Sequence, residues 1–230
     1  VMELLSGPTL AKVIAQGPIE PLRACQIAQG IATGLQAVHD HGIVHRDLKP
    51  ENIFLVEQPG QKEFVKIVDF GIALRSNPRL RQDQLEVLAA QAKRASIDPS
   101  EPSDHSGRLT EVGSVVGTPL YMSPEQASAA DIDARADQYA LGCILYEMLT
   151  SILPFDGPTT TDVVYKHVYK QPIPPRKVRP EAHIPEALEQ VIARCMAKKP
   201  ADRFEKMSDV EHALSAIEQV LLGSSNAKVV

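Results

Sequence analysis

Residues 45–52 read HRDLKPEN. Before this octapeptide, apolar residues recur every three or four positions over residues 21–41, which predicts a helix that Gly42 ends. After it, residues 53–56 read IFLV and are a strand candidate. The octapeptide therefore lies in a loop between a helix and a strand.

Three side chains of this loop have complementary chemistry. Asp47 can orient a hydroxyl and accept its proton, Lys49 can bind phosphate oxygens, and Asn52 offers an amide oxygen to magnesium. Magnesium prefers one or two protein oxygens together with phosphates, so a carboxylate from elsewhere is needed. The loop predicts phosphoryl transfer to a hydroxyl. A capped turn with an incidental charge pair would explain Asp47 alone, but not the full string.

A second motif, KIVDFG at residues 66–71, supplies that carboxylate. Asp69 ends a predicted strand over residues 64–68, and Gly71 permits a sharp backbone turn. A strand followed by a turn is common, so this motif alone indicates little. It gains weight because Asp69 follows Asp47 by 22 residues, with only a predicted hairpin between them.

Three further motifs follow: GTPLYMSPE at residues 117–125, DARAD at 133–137 and PADRF at 200–204. Asp137 stands on a helix predicted over residues 133–149, which is apolar nearly all round. A carboxylate on such a buried helix needs a partner. Each motif alone is more often structural, but their order and spacing argue against chance.

Helical periodicity dominates the remaining sequence. Helices are predicted over residues 9–16, 21–41, 133–149, 161–169, 185–197 and 207–221. Ile43-Val44 is a further strand candidate. Residues 75–112 have no clean period and predict a mobile loop with at most one helix, at 83–94. The sequence thus predicts an α+β, mainly helical chain with short strands beside one loop-rich site.

The composition is that of a globular protein that does not bind nucleic acid. Hydrophobic residues make up 43% and charged residues 23%, and the net charge is −5. Cys25, Cys143 and Cys195 occur in helical patterns without a CxxC pair, so we expect small buried side chains. The most apolar stretch, residues 139–155, is shorter than a membrane span of ~20 residues. We therefore expect no membrane segment in this chain.

Together the motifs resemble those of eukaryotic-like serine/threonine protein kinases. Lys49, two residues after Asp47, is the serine/threonine form of the pattern, and Ser123 stands where alanine is commonest. The sequence of residues 133–142, DARADQYALG, resembles that of bacterial members of the family. The resemblance implies ATP and Mg²⁺ as cofactors and proteins as substrates.

The resemblance also implies a role for each motif residue. Asp47 is the catalytic base, Lys49 contacts the transferring phosphoryl group, and Thr118 hydrogen-bonds with both. Asn52 and Asp69 bind the metal. ATP is bound by Glu3, Leu5, Glu51, Phe54 and Asp69. By the same resemblance, Glu125 pairs with Arg203, and Asp137 accepts hydrogen bonds from backbone amides of the catalytic loop. The residues that give structural support are His45, Arg46, Phe70, Gly71, Glu125, Asp137 and Arg203.

Residues 75–112 would be an extended activation-loop insertion. Thr110 and Ser114 lie where the family is phosphorylated, with Ser106 a weaker candidate. A phosphate of about −2 charge there could pair with Arg46 and order the loop. A plain solvated insertion is the alternative for each single site.

The sequence contains no Gly-rich phosphate loop, no strand lysine of the VAIK type and no helix glutamate to pair with it. Residues 1–5 resemble the linker between the kinase lobes. The resemblance therefore implies the C-terminal lobe of the protein-kinase fold with the N-lobe absent. Residues 1–222 would be hinge and C-lobe, and residues 223–230 a tail. We expect such a chain to be weak or inactive by itself.

Three alternative functions compete with that of a protein kinase. A pseudokinase or scaffold should have lost Asp47, Asn52 or Asp69, and none is lost. A small-molecule phosphotransferase shares the H-x-D-x-x-x-x-N loop but usually lacks a peptide platform like residues 117–125. A structural interaction module would use the motifs only to hold the fold. We expect a cytoplasmic protein, or the cytoplasmic part of a membrane-anchored kinase.

Overall fold

The computed structural model describes residues 6–58, 61–69, 119–128 and 130–226. Within these ranges the chain forms eight α-helices and one two-stranded antiparallel sheet. Some predicted site residues lie outside the described residues, as does the whole 75–112 segment. They are Glu3, Leu5, Phe70, Gly71, Thr110, Ser114 and Thr118. Their roles stay predictions.

The helices follow the apolar pattern of the sequence. They are α1 (Leu10–Ile14), α2 (Pro21–His39), α3 (Pro124–Ala127), α4 (Arg135–Thr150), α5 (Thr160–Tyr169), α6 (Pro175–Val178), α7 (Glu186–Cys195) and α8 (Met207–Asn226). Every helix predicted from periodicity in the described ranges is present. The four-residue helices α3 and α6 were not predicted, because one turn is too short to show a period. Helix α8 runs beyond the predicted end of the domain at residue 222.

The sheet is a single hairpin of β1 (Ile53–Gln58) and β2 (Gln61–Ile67), in which Ile53 pairs with Ile67 and Leu55 with Val65. The predicted strand at Ile43-Val44 is wrong. The Ile43 N–H donates to the Val38 carbonyl at 3.1 Å, so this segment is bonded to the end of α2 and not to a neighbouring strand. The loop that it enters is thereby anchored to α2.

Helix α4 runs through the centre of the core, and fourteen of its sixteen residues are buried. It packs against α2, α7 and α8, while α2 also contacts α8 and β2. The three cysteines are buried as predicted, and burial raises the pKa of the Cys25 and Cys195 thiols to about 12. None of the described helices is long and apolar enough to cross a membrane.

Close packing of α4 on α7 depends on Gly142. A Cβ at this position would lie 2.8 Å from Met196 Cγ and 2.9 Å from Cys195 Cβ. A Cβ at Gly223, on α8, would meet nothing within 4 Å. Glycine at position 142 therefore permits α4 and α7 to pack at a distance that any other residue would increase.

We predict that Gly142→Ala destabilises the protein relative to Gly223→Ala. Both changes remove a helical glycine and gain up to about 1 kcal/mol in propensity, but only the first overpacks the core, at a cost of about 1–3 kcal/mol. Urea unfolding of the two variants measures the difference. Equal free energies of unfolding would show that α4 and α7 separate without cost.

Candidate active site

The loop at residues 45–47 is organised by the buried carboxylate of Asp137, which is 1% exposed. Its Oδ2 accepts the His45 N–H at 2.9 Å, and its Oδ1 accepts the Arg46 N–H at 2.9 Å. His39 Nε2, from the last turn of α2, lies 2.7 Å from Oδ2. One side chain of α4 thus holds the entry to the loop and joins it to α2.

The ring of His45 connects this loop to the end of β2. Its Nδ1 accepts the Asp47 N–H at 3.3 Å, and its Nε2 lies 3.2 Å from the Val68 carbonyl, an acceptor only. These partners require the proton on Nε2. The ring is fully buried, so it acts as a rigid spacer between the two segments.

Asn52 brings the other end of the octapeptide back to Asp47. Its Nδ2 donates to the Asp47 carbonyl at 3.0 Å, and its own carbonyl accepts the Val68 N–H at 2.9 Å. Asp69 follows Val68 directly and is exposed. A continuous set of hydrogen bonds therefore links Asp47 and Asn52 to Val68, the residue directly before Asp69.

Two backbone positions in the site are strained. Arg46 has φ 66° and Asp69 has φ 56°, and these are two of four described non-glycine residues with positive φ. Left-handed backbone at such residues costs roughly 1–3 kcal/mol and persists only where the surroundings impose it. Arg46 is held by Asp137, and Asp69 follows a residue bonded to both His45 and Asn52. Strain here is typical of a functional site.

The remaining predicted residues around the loop are more open. Lys49 Nζ lies 2.9 Å from Asp47 Oδ2, and the two side chains are 36% and 41% exposed. Glu51 is exposed on the 3₁₀ turn at Pro50–Asn52. Phe54 is half-buried on β1 and bridges to Thr9. An accessible carboxylate beside a cation suits a group that must meet a substrate.

The predicted pair Glu125–Arg203 is a buried, bidentate ion pair. Arg203 donates from NH1 to Oε1 at 2.6 Å and from NH2 to Oε2 at 2.8 Å. Its NH1 also donates to the Arg135 carbonyl at 2.8 Å, and its Nε to the Ala197 carbonyl at 2.8 Å. The guanidinium therefore joins α3 to the start of α4 and to the segment after α7.

Sequence analysis missed Gln126, the neighbour of Glu125 on α3. Its Oε1 accepts the N–H and the hydroxyl of Ser123, each at 3.0 Å, and its Nε2 donates to the Arg46 carbonyl at 2.7 Å. The S-x-x-Q spacing of a capping box was a signal for the local part of this arrangement. No sequence signal shows the contact with Arg46, because 80 residues separate the two.

A cleft of about 390 Å³ lies beside the loop, lined in part by Glu51, Tyr121, Glu147 and Ser151. The Tyr121 hydroxyl donates to Glu147 Oε2 at 2.7 Å. Burial raises the pKa of the Glu147 carboxyl above its ordinary value, and the negative charge of Glu51 adds to this shift. The cleft thus holds two acidic side chains next to Asp47's loop.

The donor set at the centre of the site fits magnesium. Since Asn52 Nδ2 is used in the bond to Asp47, its Oδ1 is the atom that can meet a cation, and Asp69 provides a carboxylate. Hard oxygen ligands of this kind suit Mg²⁺ when phosphates complete its shell. Among the described residues, no group of three or more His, Cys, Asp or Glu forms a metal site, and a phosphate-bound magnesium requires none.

A family model described as protein kinase domain matches residues 1–215. The serine/threonine-protein kinase pkn3 of Myxococcus xanthus is 34% identical over 219 residues, covering 95% of this chain and 36% of that protein. PknB of Mycolicibacterium smegmatis is 35% identical over 220 residues, covering 95% of the chain and 30% of that protein. The chain belongs to the protein kinase domain family, and its relationship to bacterial serine/threonine kinases is confirmed.

Solved structures agree on the fold. The PknI kinase domain of Mycobacterium tuberculosis has a TM-score of 0.61 at 23% identity, covering 94% of this chain and 64% of that one. The Rad53 kinase domain with SCD2 and AMPPNP has a TM-score of 0.64 at 21% identity, covering 92% and 66%. At these identities the likeness shows the fold alone. The chain spans about a third of the curated relatives named above.

The predicted fold class, a C-terminal lobe with the N-lobe absent, is wrong. The protein kinase domain model matches residues 1–215, and the solved kinases align over 92–94% of the chain, so the fold class is that of the protein kinase domain. In the described residues it is mainly helical with one two-stranded sheet. The prediction relied on the absence of a Gly-rich loop, a strand lysine and a helix glutamate, whereas a fold is specified mainly by its buried apolar pattern.

We predict that Arg203→Met lowers the free energy of unfolding by about 3–5 kcal/mol, because it leaves Glu125 charged and buried without its partner. The pair is 0% and 5% exposed. Arg23→Met, which breaks the exposed Arg23–Glu63 pair, should cost less than about 1 kcal/mol. Urea denaturation measures both. Similar losses in the two variants would contradict a special role for the buried pair.

Proposed function

We propose that the protein containing this chain is a serine/threonine protein kinase that transfers the γ-phosphoryl group of Mg-ATP to hydroxyls of proteins. The observation that carries the proposal is the set of hydrogen bonds that links Asp47 and Asn52 to Val68, the residue directly before Asp69. The family match and the kinases among the curated relatives support the same reaction.

Each residue of the assembly has a separate task. Asp47, half-exposed beside Lys49, receives the proton of the acceptor hydroxyl as the oxygen attacks phosphorus. Lys49 places positive charge next to that carboxylate and offers it to the transferring phosphoryl group. Asn52 and Asp69 hold magnesium, which when bound neutralises charge on the phosphate oxygens. The buried side chains of Asp137 and His45 fix the backbone that carries Asp47 before the reaction begins. No free energy is therefore spent on orienting this backbone during the reaction.

The acidic cleft supports a protein substrate with a basic side chain near the acceptor residue. Glu51 and Glu147 lie in one cleft next to the catalytic loop, and both favour a cation there. A small-molecule phosphotransferase would not need such a cleft beside a platform like residues 117–125. A pseudokinase or scaffold stays the alternative if the assembly does not turn over.

We predict that Asp47→Asn in the full-length gene product lowers kcat by roughly 10²–10⁴, because the amide cannot accept the proton. The KM for ATP should change little. Phosphate transfer to casein, with and without magnesium, measures the effect. The exposed Asp40→Asn, at the end of α2, is the control and should leave kcat unchanged. Near-wild-type turnover by the Asp47 variant would remove this residue from the role.

We predict that Glu147→Gln weakens the preference for peptides with arginine over alanine near the acceptor, by about threefold to tenfold in kcat/KM, since one charge near a surface contributes about 1 kcal/mol. Because the pKa of Glu147 is raised, its negative charge is present above that pKa and is lost as the pH falls through it. The wild-type preference should therefore weaken on acidification. Glu57→Gln, exposed on β1, is the control. An unchanged preference in Glu147→Gln would exclude this cleft.

A further inference from the structure

We propose that Gln126 is a positioning residue that fixes Asp47 by clamping the peptide bond in front of it. The inference rests on the proposed function, since it assigns Asp47 as the base. The Nε2 of Gln126 donates to the Arg46 carbonyl at 2.7 Å. This carbonyl and the Asp47 N–H belong to the same peptide unit, so the bond acts on the backbone of the base itself.

The orientation of the Gln126 amide is set by its partners. A backbone N–H, that of Ser123, can only donate, so the atom that faces it at 3.0 Å must be Oε1. A backbone carbonyl, that of Arg46, can only accept, so the atom that faces it must be Nε2. Turning the amide over would place like groups together at both ends. The Gln126 side chain therefore connects the Ser123 N–H to the Arg46 carbonyl in one amide orientation.

The peptide unit between Arg46 and Asp47 is held at both of its polar groups. Gln126 binds its carbonyl at 2.7 Å, and His45 Nδ1 accepts its N–H at 3.3 Å. The preceding unit is held by Asp137, which accepts the Arg46 N–H. Arg46 itself has φ 66°, a conformation that an arginine does not adopt without such restraints. Gln126 is the one restraint among these three that comes from α3.

Helix α3 is a firm support for this link. Glu125, the preceding residue, is fixed by the buried pair with Arg203, and Ser123 caps the helix. Helix α3 begins inside residues 117–125, the segment that resembles the peptide platform of the family, and Gln126 follows that segment directly. Gln126 thus makes the position of Asp47 depend on the position of the platform, and the base is aligned when the platform is in place.

The test separates the two ends of the amide. Gln126→Glu keeps an acceptor for Ser123 but loses the donor to Arg46, and its charge repels the carbonyl. Gln126→Lys keeps a donor for Arg46 but loses the acceptor. If the link to Arg46 matters, Gln126→Glu should lower kcat about 10–100-fold, with KM for ATP unchanged, and Gln126→Lys should retain at least tenfold more turnover than Gln126→Glu. If only the helix cap matters, the order is reversed.

Hydrogen exchange of residues 43–49 provides a readout independent of activity. The amides of Arg46 and Asp47 should exchange at least tenfold faster in Gln126→Glu than in wild type, and slower in Gln126→Lys than in Gln126→Glu. The same two changes at Gln190, an exposed residue of α7, are the controls and should alter neither readout. All variants are made in the full-length gene product.

The outcomes are distinguishable. A wild-type protein without magnesium-dependent phosphate transfer, but with the expected exchange pattern, would refute the proposed function and keep the clamp. Wild-type exchange and turnover in Gln126→Glu would refute the clamp and keep the kinase. Lower turnover in Gln126→Lys than in Gln126→Glu would assign Gln126 to the helix cap, and equal losses would show that the bond to Arg46 has no separate effect; either result overturns the proposal.

Discussion

The arrangement of the site depends on one buried carboxylate. Asp137 lies on the most buried helix of the described fold, where an unpaired charge would be costly. Its partners are the backbone N–H groups of His45 and Arg46 and the ring of His39. The loop therefore cannot move away from α4 without exposing that charge to an apolar interior. The hydrogen bonds that keep the charge of Asp137 paired in the core therefore also fix the geometry of the loop.

Around this carboxylate, the loop is held by hydrogen bonds from side chains to its backbone groups. Five backbone groups near Asp47, the N–H groups of residues 45–47 and the carbonyls of Arg46 and Asp47, are bonded to side chains of Asp137, His45, Asn52 and Gln126. A network that is fully satisfied is rigid, and one missing member leaves a buried group without a partner. Asp47 and Lys49 stand at its open edge, where a substrate can reach them.

Much of this could be predicted, and the failures have physical causes. Helices α2 and α4 are long and periodic, so their existence followed from the spacing of apolar residues. Ile43-Val44 looked like a strand, but its backbone bonds to α2 instead. Helix α3 is only four residues long and has no period. The fold class was misjudged because it was inferred from absent motifs, whereas the protein kinase domain model matches residues 1–215.

The sequence by itself determined the chemistry: a carboxylate, an ammonium and an amide at residues 47, 49 and 52, and a second carboxylate at 69. It also determined which helices bury an apolar face, because that depends on local spacing. Only the tertiary structure decided that Gln126 reaches Arg46, that His45 carries its proton on Nε2, and that Glu147 shares a cleft with Glu51. These contacts join residues many positions apart, and their geometry depends on how whole helices pack.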